Sequence, residues 1–139
     1  MRVILLIMIG LSLLYAELTR DAATGIVSDS ATGLEWQDNE IGTTTNWQGA
    51  IDRCEALTLG SHSDWRLPNL NELKSIVDRS KVNLAIKDGF INTSSSRYWS
   101  STTNEGSRFF AWVVRFDFGG VSRYTRGSKL FVRCVRAGQ

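Results

Sequence analysis

The chain has 139 residues, 42% of them hydrophobic and 22% charged, with a formal net charge of +2. That is enough apolar sequence to bury one real core and room for one domain. A single proline, 12 glycines and no low-complexity run leave no linker along which a second domain could be cut.

Residues 3–14 (VILLIMIGLSLL) follow Arg2 and run into Tyr15-Ala16-Glu17, the charged start, apolar centre and small-residue exit of a secretory signal. The run falls short of the roughly 20 residues that a comfortable membrane span needs. Residues 1–16 are therefore expected to be a signal peptide and residues 17–139 the exported domain, periplasmic or extracellular, with no stable membrane span after cleavage. No cysteine stands at the exit to carry a lipid anchor. Gly25–Asp29 and Leu34–Gln37 flank Ser30-Ala-Thr-Gly33 as a hairpin, since Gly33 can supply the positive φ that a short turn needs. A polar loop over 38–45 leads to Asn46, an N-cap for a helix whose Trp47, Ala50, Ile51, Cys54 and Leu57 follow a buried stripe. Gly60 suits that helix's left-handed end.

The clearest local signal is Ser63–Asp78 (SDWRLPNLNELKSIVD). Pro68 forbids an earlier helix start and holds Leu67 extended. Asn69 then caps a helix, with Glu72 three residues on to complete a capping box, and Leu70, Leu73, Ile76 and Val77 form its apolar face. Ser80–Asn92 reads as a loop anchored by Leu84, Ile86, Phe90 and Ile91. The rest reads as sheet: a short strand at Arg97–Ser101, a strand apolar on both faces at Arg108–Asp117, a turn at Gly119-Gly120, and strands at Gly120–Tyr124 and Leu130–Arg136. In the last, Leu130, Val132 and Cys134 share one face, and Phe131, Arg133 and Val135 the other. Two early helices and a mostly late antiparallel sheet make an α+β domain. The cysteines, Cys54 and Cys134, are an even count for an oxidising compartment, so a disulfide is the default; with no CxxC and only His62 to help, a metal or redox pair is the weaker alternative.

Thr32-Gly-Leu-Glu-Trp36, Asp64-Trp-Arg-Leu-Pro-Asn69 with Glu72-Leu73, Tyr98-Trp-Ser-Ser-Thr102 and Val132-Arg-Cys-Val-Arg136 occur in that order. Over residues 24–137 they resemble the Lcl C-terminal family, the domain that ends the Legionella collagen-like adhesin. The resemblance implies a fold related to the C-type lectin and sulfatase-modifying-factor architectures, two helices packed on twisted antiparallel sheets with long loops on one side. It also implies a disulfide from the first helix to the last strand, where Cys54 and Cys134 fall. The chain carries no collagen-like Gly-X-Y stalk, so the adhesin's stalk-driven trimer does not carry over.

The best ligand candidates are basic. Residues 101–139 carry Arg108, Arg115, Arg123, Arg126, Lys129, Arg133 and Arg136 against only Glu105 and Asp117. Arg115, Arg123, Arg126, Lys129 and Arg133 lie on or between strands expected to be adjacent, and guanidinium groups suit sulfate, carboxylate or phosphate; solvated strand faces are the plainer alternative. Arg126-Gly127-Ser128 could offer donors to one anionic group. Among the indoles, Trp47 and Trp112 sit on apolar stripes, while Trp65 and Trp99 lie among polar neighbours and are the candidates for sugar stacking, against the commoner core role. Arg66 is expected to pair with Glu72 or Asp64.

Asp38-Asn39-Glu40 and Asp64 could supply calcium oxygens but match no EF-hand spacing, so no metal and no cofactor are expected. Asn92-Thr93-Ser94 fits a glycosylation pattern by chance. His62 as the sole histidine, the lack of a phosphate loop, and cysteines committed to a bridge weigh against an enzyme, the sulfatase-modifying type included. Export weighs against nucleic acid. The expected function is a non-enzymatic, adhesin-like binding domain for anionic polysaccharide or a cell-envelope partner, or else a structural or protein-interaction module of the envelope without glycan affinity.

Overall fold

The computed structural model describes residues 17–138; the expected signal peptide, residues 1–16, lies outside them. Two antiparallel sheets form. Strands β1 (Leu18–Asp21), β2 (Ile26–Asp29), β3 (Leu34–Gln37) and β7 (Val135–Ala137) make the first, in the order β1-β2-β3-β7, and β4 (Arg97–Asn104), β5 (Ser107–Arg115) and β6 (Val121–Thr125) the second, in the order β4-β5-β6. Helices α1 (Trp47–Ala56) and α2 (Leu70–Ser75) lie between the third and fourth strands in the chain.

Both helices begin where the caps require. Asn46 Oδ1 accepts the Gly49 amide at 2.8 Å. At Asn69 the capping box is complete, Glu72 N donating to Asn69 Oδ1 at 2.8 Å and Asn69 N to Glu72 Oε1 at 2.9 Å. Helix α2 stops at Ser75, short of the Asp78 that its periodicity suggests. The following loop takes the backbone instead: Val77 bridges Ile86, and Asp78 N donates to the Ala85 carbonyl at 3.0 Å. Of that loop's expected anchors, Ile86 is buried and Phe90 half-buried, but Leu84 and Ile91 face solvent.

A core packs on each side of the second sheet over the Ala111–Val114 part of β5, which explains why that strand is apolar on both faces. Trp99, Ala111 and Val113 enter one core with Ala50 and Cys54 of α1, together with Trp65 and Leu67. Tyr98, Val114 and Phe116 enter another with Leu73 of α2, Ile76, Val27 and Trp36. The segment 130–135 threads between the two. Leu130, Val132 and Cys134 serve the first core and Phe131 and Val135 the second, as the expected alternation requires. It is not one long strand, however: Leu130 bridges Thr45, Phe131 bridges Tyr98, and only Val135–Ala137 joins the first sheet.

Cys54 in α1 and Cys134 just before β7 form a buried disulfide, with Cα atoms 5.4 Å apart across a sequence separation of 80. On the chain-entropy account, closing a loop of that length stabilises by about 4 to 5 kcal/mol.

A buried ionic knot ties the loop before β4 to the first sheet. Asp38 Oδ1 accepts Arg133 Nη1 at 2.9 Å, and Asp38 Oδ2 accepts Arg20 Nε at 2.8 Å. The same carboxylate accepts the Ile91 and Asn92 amides at 3.0 and 3.1 Å. Arg133 also donates to the Gln37 carbonyl at 2.6 Å, the Asn92 carbonyl at 2.7 Å and Thr93 Oγ1 at 2.8 Å, and its guanidinium carbon lies 4.7 Å from the Phe90 ring centre.

Candidate functional site

The basic residues do not converge on one face. Arg123 lies on β6 and Arg126 in the turn just beyond it, and the two take opposite sides of the second sheet. The partners agree: Arg126 stacks over Trp47, a residue packed on the α1 core, at 4.3 Å, whereas Arg123 lies directly across from Trp112 and stacks over Phe110 at 5.5 Å. Arg115 shares the Arg126 side with Arg97, its cross-strand partner. Arg97 in turn lies 4.9 Å from the Tyr124 ring centre.

Arginine on aromatic is the recurring theme of this sheet. Arg115 lies over Phe118 at 4.7 Å and Arg108 over Phe109 at 5.6 Å, beside the three pairs already named. Among the described residues, Arg97, Arg108, Arg123, Arg126 and Lys129 have no carboxylate within salt-bridge distance. Arg115 differs, pairing with Asp117 at 2.7 Å. The hydrogen bond from Arg115 holds the Asp117 carboxyl below its ordinary value and raises that of the guanidinium. The Nε atoms of Arg97 and Arg126 are buried against the protein without a hydrogen-bond partner. A guanidinium positioned over a ring keeps its charge available to a ligand while losing part of its rotamer freedom in advance.

Three expected ligand residues are corrected. Arg133 is only 3% exposed and its two Nη groups are held within the Asp38 knot, with Nε enclosed and unpartnered, so it faces no ligand. Trp65 and Trp99 do not reach solvent. The Trp65 indole N–H donates to the His62 carbonyl at 3.1 Å and that of Trp99 to the Thr45 carbonyl at 2.9 Å, so both brace loops from within the first core. Of the two indoles expected to pack, Trp47 does so, half-buried against the first core beneath Arg126, whereas Trp112, also half-buried, joins neither core. In the Arg126–Ser128 loop, the Ser128 amide is spent on the Thr125 carbonyl at 2.9 Å, so the loop offers fewer donors than its sequence suggests.

The remaining candidates are absorbed by the fold. Arg66 pairs with Glu72 through two bonds of 2.7 Å, as expected, which holds the Glu72 carboxyl below its ordinary value. Asp64 pairs with Arg136 at 2.7 Å, and Asp38 belongs to the knot, which removes both from any calcium set. Among the described residues no cluster of His, Cys, Asp and Glu could hold a metal ion. The Asn92 side-chain amide, the would-be glycan acceptor, donates to the Asp38 carbonyl at 2.7 Å. Open clefts of about 430 and 470 Å³ lie elsewhere, one beside Glu17, Asp29, Asp78 and Lys87, the other along Lys81–Phe90. None of the arginines of the second sheet lines either cleft.

Against known families, the description "Lcl C-terminal domain" matches residues 25–136. The chain belongs to the Lcl C-terminal domain family. No curated protein matches it. The matched span runs from the residue before β2 into β7, so β1 falls outside it. This Lcl domain thus takes one member of its buried knot, Arg20, from a strand beyond the matched span. Membership of an adhesin-associated family fits a binding or interaction module, and among the described residues no helix is long and apolar enough to cross a membrane.

Proposed function

We propose that this is an exported, non-enzymatic binding domain of C-type-lectin-like architecture, which holds anionic polysaccharide on the aromatic-backed arginines of its second sheet. One observation carries the proposal: Arg97, Arg108, Arg123 and Arg126 each lie over an aromatic ring and none meets a carboxylate among the described residues. Lys129, exposed in the loop after β6, adds to the same field. Two helices on two antiparallel sheets, with a disulfide from α1 to the chain's end, support the lectin-like comparison. The leader-like residues 1–16 and the disulfide support export. The bonding of both cysteines weighs against a sulfatase-modifying enzyme, for which a native thiol titration should find no free thiol.

The test is retention on heparin, a sulfated chain. Retention should be strong at low salt and weaken as salt rises, and the Arg123→Ala, Arg126→Ala double variant should elute earlier. No retention at low salt, or an unchanged double variant, overturns the polysaccharide role. A protein partner in the envelope is the second reading, favoured by the exposed Val82, Ile91 and Phe118; capture of a specific envelope protein by a chain that ignores heparin would select it.

A further inference from the structure

The second sheet carries one aromatic surface that the fold does not use. On β5, Phe110 and Trp112 point to the same side, about 7 Å apart by strand geometry, and both are half-buried while packing in neither core. Across from them on β6 stand Thr125 and Arg123, in register. The indole N–H groups of Trp47, Trp65 and Trp99 each donate to a backbone carbonyl, and that of Trp36 is enclosed. The Trp112 N–H has no hydrogen-bond partner among the described residues and is not enclosed. A flat apolar ring, a free donor at its edge and an unpaired guanidinium opposite thus occur together, on a strand pair whose outer member β6 is a sheet edge.

We infer that the Phe110–Trp112–Arg123 surface is a subsite for a uronic-acid residue of a polysaccharide, the sugar's C–H face on Trp112 and its carboxylate on Arg123. This rests on the proposed anionic-polysaccharide role and narrows it to carboxylate-bearing chains at this face. The chemistry separates uronate from heavily sulfated sugar. One carboxylate leaves the ring's C–H face bare to meet an indole, and the planar guanidinium fork matches its two oxygens. Sulfates spread around a ring put charge and bound water where the indole requires apolar contact. The Arg126–Trp47 pair on the other side has its ring already covered by the guanidinium, so it suits anions without a stacked sugar.

The test uses the disulfide-intact domain with three probes: oligogalacturonate, dextran sulfate and an uncharged malto-oligosaccharide. Oligogalacturonate should shift the tryptophan emission, and Trp112→Ala should abolish the shift and weaken binding about tenfold, the scale of one lost aromatic contact. Phe110→Ala is the second variant, should the first fail to give a native near-ultraviolet circular dichroism spectrum, and it should also weaken binding. Dextran sulfate binding should change little in either variant, and the malto-oligosaccharide should bind more weakly than oligogalacturonate to the wild type. If oligogalacturonate binds the variants as it binds the wild type, or leaves the emission unmoved, while dextran sulfate still binds, the uronate subsite is overturned and the polyanion role stands. If neither charged probe binds, both fall. If Trp112→Ala instead turns a dimer into a monomer in sedimentation, the surface is a contact between copies of the chain and the subsite is likewise overturned.

Discussion

The arginines around the two sheets share a side chain and differ in everything that surrounds it. Those tied to the first sheet face carboxylates: Arg20 and Arg133 share Asp38, Arg136 lies between Glu35 and Asp64, and Arg66 grips Glu72. Those of the second sheet face rings: Arg97, Arg108, Arg123 and Arg126 stack on Tyr124, Phe109, Phe110 and Trp47. A carboxylate neutralises the charge and fills the guanidinium's donors, leaving a structural strut. A ring fixes the guanidinium's orientation but leaves charge and donors for something outside the chain. Arg115, with Phe118 on one side and Asp117 on another, sits between the two classes, and Arg133 meets both Asp38 and the Phe90 ring but in the interior.

The contrast is broken most severely at the buried knot. Asp38→Ala would strand the Arg133 and Arg20 guanidiniums and two backbone amides in the interior. A loss of about 3 to 5 kcal/mol is expected, the scale for removing one partner of a buried pair, and chemical denaturation monitored by tryptophan emission would measure it. A loss near 1 kcal/mol would mean that water repairs the site and that the knot resembles a surface pair. Next comes the covalent tie. The Cys54→Ser, Cys134→Ser double variant should lose about 2 to 5 kcal/mol, and a thermal midpoint equal to the wild type's would show that packing of 130–135 between the cores suffices alone.

A paired comparison sharpens the division of labour. Arg136→Ala removes an ion-paired arginine flanked by partly exposed carboxylates, so it should cost about 1 kcal/mol or less and leave heparin retention in place. Arg126→Ala removes a ring-stacked one and should do the reverse, shifting retention while stability moves by no more than about 0.5 kcal/mol beyond the lost stacking. If both variants changed stability and retention together, the two classes of arginine would not be separate.

How far this arrangement is legible in the amino-acid sequence depends on the range of the interaction. The starts of α1 and α2 are plain because Asn46 and Asn69 act within three residues of themselves, and the in-and-out alternation of Leu130–Val135 is plain because strand geometry imposes it. What escapes is set by distant partners. The Thr-Arg-Asp of β1 offers no apolar pattern, and it becomes a strand only because β2 pairs with it. Arg133 looks like a surface cation until Asp38 is brought to it from far along the chain. The tryptophans reverse for the same reason: polar neighbours in sequence surround Trp65 and Trp99, yet backbone carbonyls in space receive their N–H groups, while the apolar run around Trp112 places it beyond both cores. The opposed sides of Arg123 and Arg126 escape for the same reason, since Arg126 lies in the turn past β6 and its side is set by Trp47, distant in sequence.

The smallest expected effect is on pH, and its sign differs between the two functions of arginine. Hydrogen bonds from Arg136, Arg66 and Arg115 hold Asp64, Glu72 and Asp117 below their ordinary carboxyl values. A group depressed on folding contributes stability that is complete above its unfolded value, about 4, and is lost as pH falls through the lower folded value. The thermal midpoint should therefore be level in this respect from neutral pH to about 5 and decline below about 4. The ring-stacked arginines stay charged throughout, so retention on a sulfated chain should not weaken over that range. Protonating Asp117 would even release Arg115 from its partner, and because that carboxyl is depressed the release comes only below about pH 4, where retention, measured while circular dichroism still reports the native fold, should rise slightly. A fall in retention ahead of unfolding would mean that a carboxylate takes part in holding the ligand, which the separation between carboxylate-bound and ring-bound arginines does not allow.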